Sequence, residues 1–207
     1  MQNKNIGSIQ KAIKVFKKYH GFLKTTEALH YGIQPRTLYK MRDQKIIEQL
    51  ARGLFRLSGI AALSHQDLVI VAKKFPKSII CLLSALDFHG ITSQIPRQVH
   101  MACKQNWHHP EIGYPPLKIF RFSETSFNSG VEKYIVDGVN IKIYSPEKTV
   151  VDCFKFRNKI GLDVAIEALK FYWQKNKNPN IQLLLKYAKA CRVDKIIRPY
   201  LEALAHE

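Results

Sequence analysis

The sequence predicts an α+β protein of two domains, a small basic one at 1–62 and a larger mixed α/β one at 63–207. Three observations lead there. The chain has 207 residues, enough for one large core or two small ones. Apolar residues recur with helical spacing up to Arg42 and then switch to short alternating runs. Charge is uneven: residues 1–65 carry 12 Lys and Arg against 3 Asp and Glu, and the following 142 residues carry 21 against 13. Composition is otherwise that of a globular protein, with 46% apolar and 24% charged residues and no low-complexity stretch.

The elements follow in order. Ile9, Ala12, Ile13 and Phe16 form the buried stripe of a helix whose wet side carries Lys11, Lys14, Lys17 and Lys18, and Gly21 ends it. Thr25 or Thr26 caps a short second helix that stops at Gly32, a residue suited to the left-handed conformation of a helix end. Pro35 opens a third helix, with Leu38 and Met41 as its buried pair. Ile46–Leu50 and Leu54–Leu57 read as two strands around Ala51-Arg52-Gly53. The boundary falls between residues 58 and 66, where Ser58-Gly59 closes the apolar segment and Ser64-His65 opens a new helix.

Beyond it, a helix at 66–75 and an apolar segment at 79–86 precede strands at 98–102, 117–122, 132–136 and 139–144. The last two are joined by Asp137-Gly138, a strong hairpin signal. Ser145-Pro146-Glu147 supplies cap, first-turn proline and first-turn acid for the next helix, and further helices are expected at 163–174, 181–190 and 195–204.

A net charge of +17 makes a polyanion the first partner to consider. No apolar run approaches a membrane span, and no signal-peptide pattern opens the chain. Cys81, Cys103, Cys153 and Cys191 form no C-x-x-C pair, which fits reduced thiols and a cytoplasmic location.

Two short helices joined at Gly32-Ile33, the second rich in cationic and hydrogen-bonding side chains, then a basic hairpin, is the order of a winged helix-turn-helix. The third helix is expected in the major groove, where Arg36 or Arg42 bonds guanine O6 and N7 and Gln34 pairs with adenine. Thr26, Thr37, Lys40 and Lys45 complete that surface, and Tyr39 fits half-buried packing as well as a phosphate contact. Arg52 and Arg56 on the hairpin are expected to meet phosphates or the minor groove.

Several segments together resemble the AbiEi family over about residues 10–175. They are Gly21-Phe22 with Thr26, Gly32-Ile33, the run from Arg52 to Leu57, the run from Ser84 to Thr92 with Gln94 and Pro96, and the run from Ser145 to Cys153. Phe55 stands where many relatives have Tyr. The resemblance implies an antitoxin of a bacterial type IV toxin-antitoxin, or abortive infection, system. It implies a winged helix that represses its own operon at inverted repeats, and a C-terminal antitoxin domain that counters a nucleotidyltransferase toxin without a stable complex. A +17 chain without a zipper is expected to be a monomer that pairs on DNA.

Catalysis finds little support. Ser84, Asp87 and His89 supply hydrolase residue types but lie within six positions and lack a nucleophile elbow. His100, Cys103, His108 and His109 do not have finger spacing. Asp152 reads as a buried, hydrogen-bonded carboxylate. Neither a phosphate-binding loop nor a dinucleotide fingerprint is present, so no cofactor or metal is expected and the chain reads as a non-enzyme. The competing reading is an RNA-binding module or RNA-directed enzyme. It would use the C-terminal basic residues Lys104, Lys118, Arg121, Lys142, Lys155 and Arg157, which equally suit an antitoxin face.

Overall fold

The computed structural model describes residues 2–60, 63–107 and 112–205, and its architecture is mixed α/β. The chain begins with helix α1 (Gln2–Lys18), strand β1 (Phe22–Lys24), helices α2 (Thr25–His30) and α3 (Pro35–Asp43), and strands β2 (Ile47–Ala51) and β3 (Leu54–Leu57). The three strands form one antiparallel sheet in the order β1-β3-β2. Ala12 and Phe16 of α1, Leu38 and Met41 of α3, and Leu23, Ile47 and Phe55 of the sheet close a common core.

Pro35 stands in the first turn of α3, where its missing N–H leaves no bond unmade. Gly32 has φ +77 at the turn between α2 and α3, a conformation that side chains with a Cβ resist. The α2 cap differs from the expectation. Lys24 is the N-cap residue, and the Glu27 carboxylate reaches back to its backbone N–H at 2.8 Å, so neither threonine caps the helix. Strand β1 had no sequence signature, because three residues cannot display a period.

The second part contains α4 (Gln66–Lys74), β4 (Ile79–Ile80), α5 (Leu82–His89), β5 (Val99–Lys104), β6 (Leu117–Phe122) and α6 (Glu124–Asn128). It continues through β7 (Val131–Val136), β8 (Val139–Tyr144), α7 (Pro146–Lys155), α8 (Arg157–Ile160), α9 (Leu162–Lys175), α10 (Ile181–Cys191) and α11 (Asp194–Ala205). Its five strands run in the order β6-β5-β4-β8-β7. Pairing is parallel for β4 with β8 and β5 with β6, and antiparallel for the other two neighbours. One side of this sheet joins a core with α5, α7, α9, α10 and α11, and the other joins a core that includes α4. The apolar run at 79–86 therefore divides: Ile79 and Ile80 form the central strand, and Leu82 onward forms a helix.

The two sheets are fastened together. Phe22 packs in the core of the second sheet, and Ala51 and Leu54 of the first sheet pack on Ile70 of α4. Lys74 Nζ donates to the Arg52 carbonyl, and Ser64 donates from its backbone N–H and hydroxyl to Asp137 at 3.1 Å. The β7–β8 turn presses on the first part as well. A Cβ at Gly138 (φ +75) would stand 3.0 Å from His20 Cβ. No helix among the described residues is long and apolar enough to cross a membrane.

Candidate nucleic-acid interface

Helix α3 buries Leu38 and Met41 and turns the remainder of its surface outward. Gln34, Arg36, Tyr39 and Arg42 are exposed, and Thr37 and Lys40 are partly so. Tyr39 is 49% exposed, which assigns it to the surface rather than to packing, and the Arg42 guanidinium lies 5.2 Å from its ring centroid. Asp43 ion-pairs with Arg42 at 2.9 Å, so Arg42 is partly neutralised while Arg36 and Lys40 are not in any ion pair among the described residues. A cleft of about 650 Å³ separates the start of α3 from α1 and is lined by Lys11, Gln34, Arg36, Thr37 and Lys40, with no carboxylate. Thr26 on α2 and Lys45 after α3 are exposed too.

The β2–β3 hairpin presents Arg52 to solvent at its tip. Arg56 is different. It is buried, its guanidinium bonds Glu48 and the Ile60 carbonyl at 3.1 Å each, and it lies over the Phe22 ring. The expectation of a phosphate contact at Arg56 is thus corrected: in the middle strand of three it stands in register between Phe22 of β1 and Glu48 of β2, and the Ile60 carbonyl closes over its guanidinium.

Sequence reasoning missed two cations, Lys73 and Lys74 of α4. Lys74 Nζ bonds the backbone of Arg52, and Lys73 Nζ lies 5.8 Å from the Phe22 ring centroid on the joint between the sheets. Burial lowers the pKa of both lysines; the nearby charge of Lys24 adds to this in each, and that of Arg52 in Lys74. Glu27 opposes the shift at Lys73, so Lys74, between the charges of Lys24 and Arg52, is the lysine here whose neighbours an anion beside the hairpin would relieve. The Lys-Lys pair at a helix end was the available signal, but the charge split assigned it to the other domain.

Residues 10–58 match the family model described as "Transcriptional regulator, AbiEi antitoxin". This matched segment contains α2, α3, the hairpin and nearly all of the first core. None of the curated proteins matches the sequence. Among solved structures, the chain is similar to the crystal structure of the RV2827C protein from Mycobacterium tuberculosis. The TM-score is 0.55 at 10% identity, over 95% of this chain and 81% of that one, a likeness of fold.

The cationic residues predicted outside the matched segment are held by oxygens or aromatic rings of the fold. Lys104 pairs with Glu124 at 2.7 Å, Arg121 donates to the Gln105 carbonyl at 2.8 Å, and Arg157 donates to the Phe154 carbonyl at 2.9 Å. Lys155 donates to the Ser126 hydroxyl at 3.1 Å and lies over Phe122, and Lys118 reaches the Lys159 carbonyl at 3.4 Å. Lys142 is on β8, with β4 and β5 between it and the Lys118 strand.

The other chemistry-bearing residues are engaged in holding the fold. Ser84 Oγ accepts from the His100 backbone N–H at 2.9 Å, and His89 Nε2 lies 2.7 Å from the Tyr144 carbonyl, so these two do not bond each other. Asp87 is exposed. His100 and Cys103 stand on opposite faces of β5, while His108 and His109 lie outside the described residues. Asp152 is fully buried and pairs with Lys148 one helical turn earlier, at 2.6 Å. Burial pushes its carboxyl above the ordinary range, with Lys148 opposing. Lys148 Nζ also lies 4.3 Å from the Tyr144 ring centroid, so the pair has an aromatic wall.

Proposed function

We propose that this chain is a DNA-binding transcriptional repressor and antitoxin of a bacterial type IV toxin-antitoxin system, with a winged helix-turn-helix at 1–62 and an antitoxin domain at 63–207. In this reading α2 and α3 are the helix-turn-helix, the β2–β3 hairpin is the wing, and α3 enters the major groove. One observation carries it. The exposed cations of α3, the acid-free cleft beside them and the wing tip Arg52 fall in the segment that matches a transcriptional-regulator family. Arg36 is the base reader, since a guanidinium free of an acid partner can offer both donors to guanine. Lys40, in the cleft, contacts the phosphate backbone.

The chain acts on its own operon at an inverted repeat and counters a nucleotidyltransferase toxin without a stable complex. It is a monomer that pairs on DNA, because a charge of +17 opposes association until phosphates neutralise it.

The test is binding to the inverted repeat upstream of the gene. Arg36→Ala is expected to lose about 1–3 kcal/mol of discrimination against a site with the contacted guanine replaced. Lys40→Ala is expected to weaken all duplexes alike and to make the salt slope shallower by about one. Variants that bind operator and random duplex as the parent does would overturn the assignment of α3.

A further inference from the structure

One face of the β7–β8 hairpin carries an arrangement that the DNA-binding reading does not use. Lys133 and Lys142 are directly opposite each other in the antiparallel register. Like charges so placed oppose the pairing of their strands. The two acids of the hairpin are engaged elsewhere: Glu132 accepts from the Tyr134 hydroxyl, and Asp137 accepts from Ser64. Among the described residues neither lysine is in an ion pair, and Lys142 Nζ reaches the Pro76 carbonyl at 3.3 Å.

The two lysines border a groove of about 360 Å³ between the hairpin and the end of α4. Ala72 and Pro76 contribute apolar surface, with Phe75 and Ile141 buried beneath, Asn140 contributes an exposed amide, and no carboxylate lines it. Such a volume lies within the range of small-molecule sites. Paired ammonium groups suit a dianion, an apolar wall suits the face of a planar ring, and an amide suits its polar edge.

We propose that this groove binds a nucleotide through a terminal phosphate held between Lys133 and Lys142, whether the nucleotide is free or ends a strand. The phosphate neutralises the opposed charges, and Asn140 bonds the base edge. The proposal stands apart from the α3 surface and does not depend on it.

The test uses the full chain, with AMP and with a single-stranded hexanucleotide with and without a 5′-phosphate, measured by isothermal titration calorimetry. The Lys133→Gln/Lys142→Gln double variant is expected to lose at least tenfold in affinity. A control lacking two charges elsewhere, Lys177→Gln/Lys189→Gln, should bind as the parent does. Asn140→Asp, which puts a carboxylate in the groove without changing either lysine, should also lose binding and serves if the double variant fails to fold. Removing one of the opposed lysines should raise the thermal midpoint without ligand. Variant-sensitive binding of AMP assigns the site to free nucleotides. Variant-sensitive binding confined to the phosphorylated hexanucleotide assigns it to strand ends. If neither probe distinguishes these variants from the parent, the proposal is overturned.

Discussion

Helix α3 and the far edge of the five-stranded sheet, with the helices beside it, use the same cationic residue types in opposite ways. Around α3, Arg36 and Lys40 are in no ion pair among the described residues, whereas Lys104, Arg121, Lys155 and Arg157 are tied to carboxylate, hydroxyl or carbonyl oxygens nearby. The extreme is Lys148, fully buried against Asp152. Net charge divides almost equally between the two parts, so charge alone does not mark a binding face. The feature that sets α3 apart is charge left uncompensated on a helix.

Breaking the buried pair tests the far end of this comparison and has the largest expected effect. Asp152→Ala leaves an ammonium in the core and is expected to cost about 3–5 kcal/mol in urea unfolding, whereas Lys148→Met/Asp152→Leu together should recover most of it. A small loss for the single variant would mean that water reaches Lys148.

Next comes His100, 4% exposed and with its pKa pushed down to about 4 by burial, with Lys118 adding to the shift. Its unfolded value is 6.5, so between pH 6.5 and 4 the unfolded chain binds the proton first. Stability is therefore full above that window and falls as pH drops through it, by roughly 3 kcal/mol at most. The shift at His89 has the same sign, also from burial. Unfolding at pH 7 and pH 5 should show the loss, and His100→Gln should flatten it.

Arg52 and Arg56 sharpen the contrast inside one hairpin. Arg56→Ala removes charge-assisted bonds in the joint between the sheets and should cost about 1.5–3 kcal/mol of stability. Arg52→Ala should stay within about 0.5 kcal/mol of the parent and yet weaken duplex binding. A reversed pattern, with Arg52 structural and Arg56 functional, would refute the placement of the wing.

The smallest effect expected is at Lys74, where Lys74→Gln should lower affinity for every duplex equally and reduce the salt slope by about one. No change in slope would confine the interface to the first sheet.

What was legible in the sequence was local. Pro35 marks the start of α3, and Asp137-Gly138 makes the turn of β7 and β8 with φ +50 and +75. The serine at 145 caps α7 by accepting from the Lys148 backbone N–H at 3.2 Å. These features depend on a few adjacent residues, and so does the outward set on α3, which follows from Leu38 and Met41 facing in. Arg56, Lys73 and Lys74 were misread or missed because their surroundings come from segments distant in the chain.

By itself, then, the sequence determined the order of most elements, the buried face of each helix and the basic character of α3. Those depend on periods of 3.6 and 2 and on turn chemistry, which neighbouring residues carry. The tertiary structure alone decided that three residues after Gly21 become a strand, that β3 lies between two others, and that α4 puts two lysines beside the β2–β3 hairpin. It also decided that Lys148 is buried on Asp152 while Lys133 stands opposite Lys142. The physical reason is that strand order and helix docking bring together residues tens of positions apart, and a side chain's charge is compensated or free according to those neighbours.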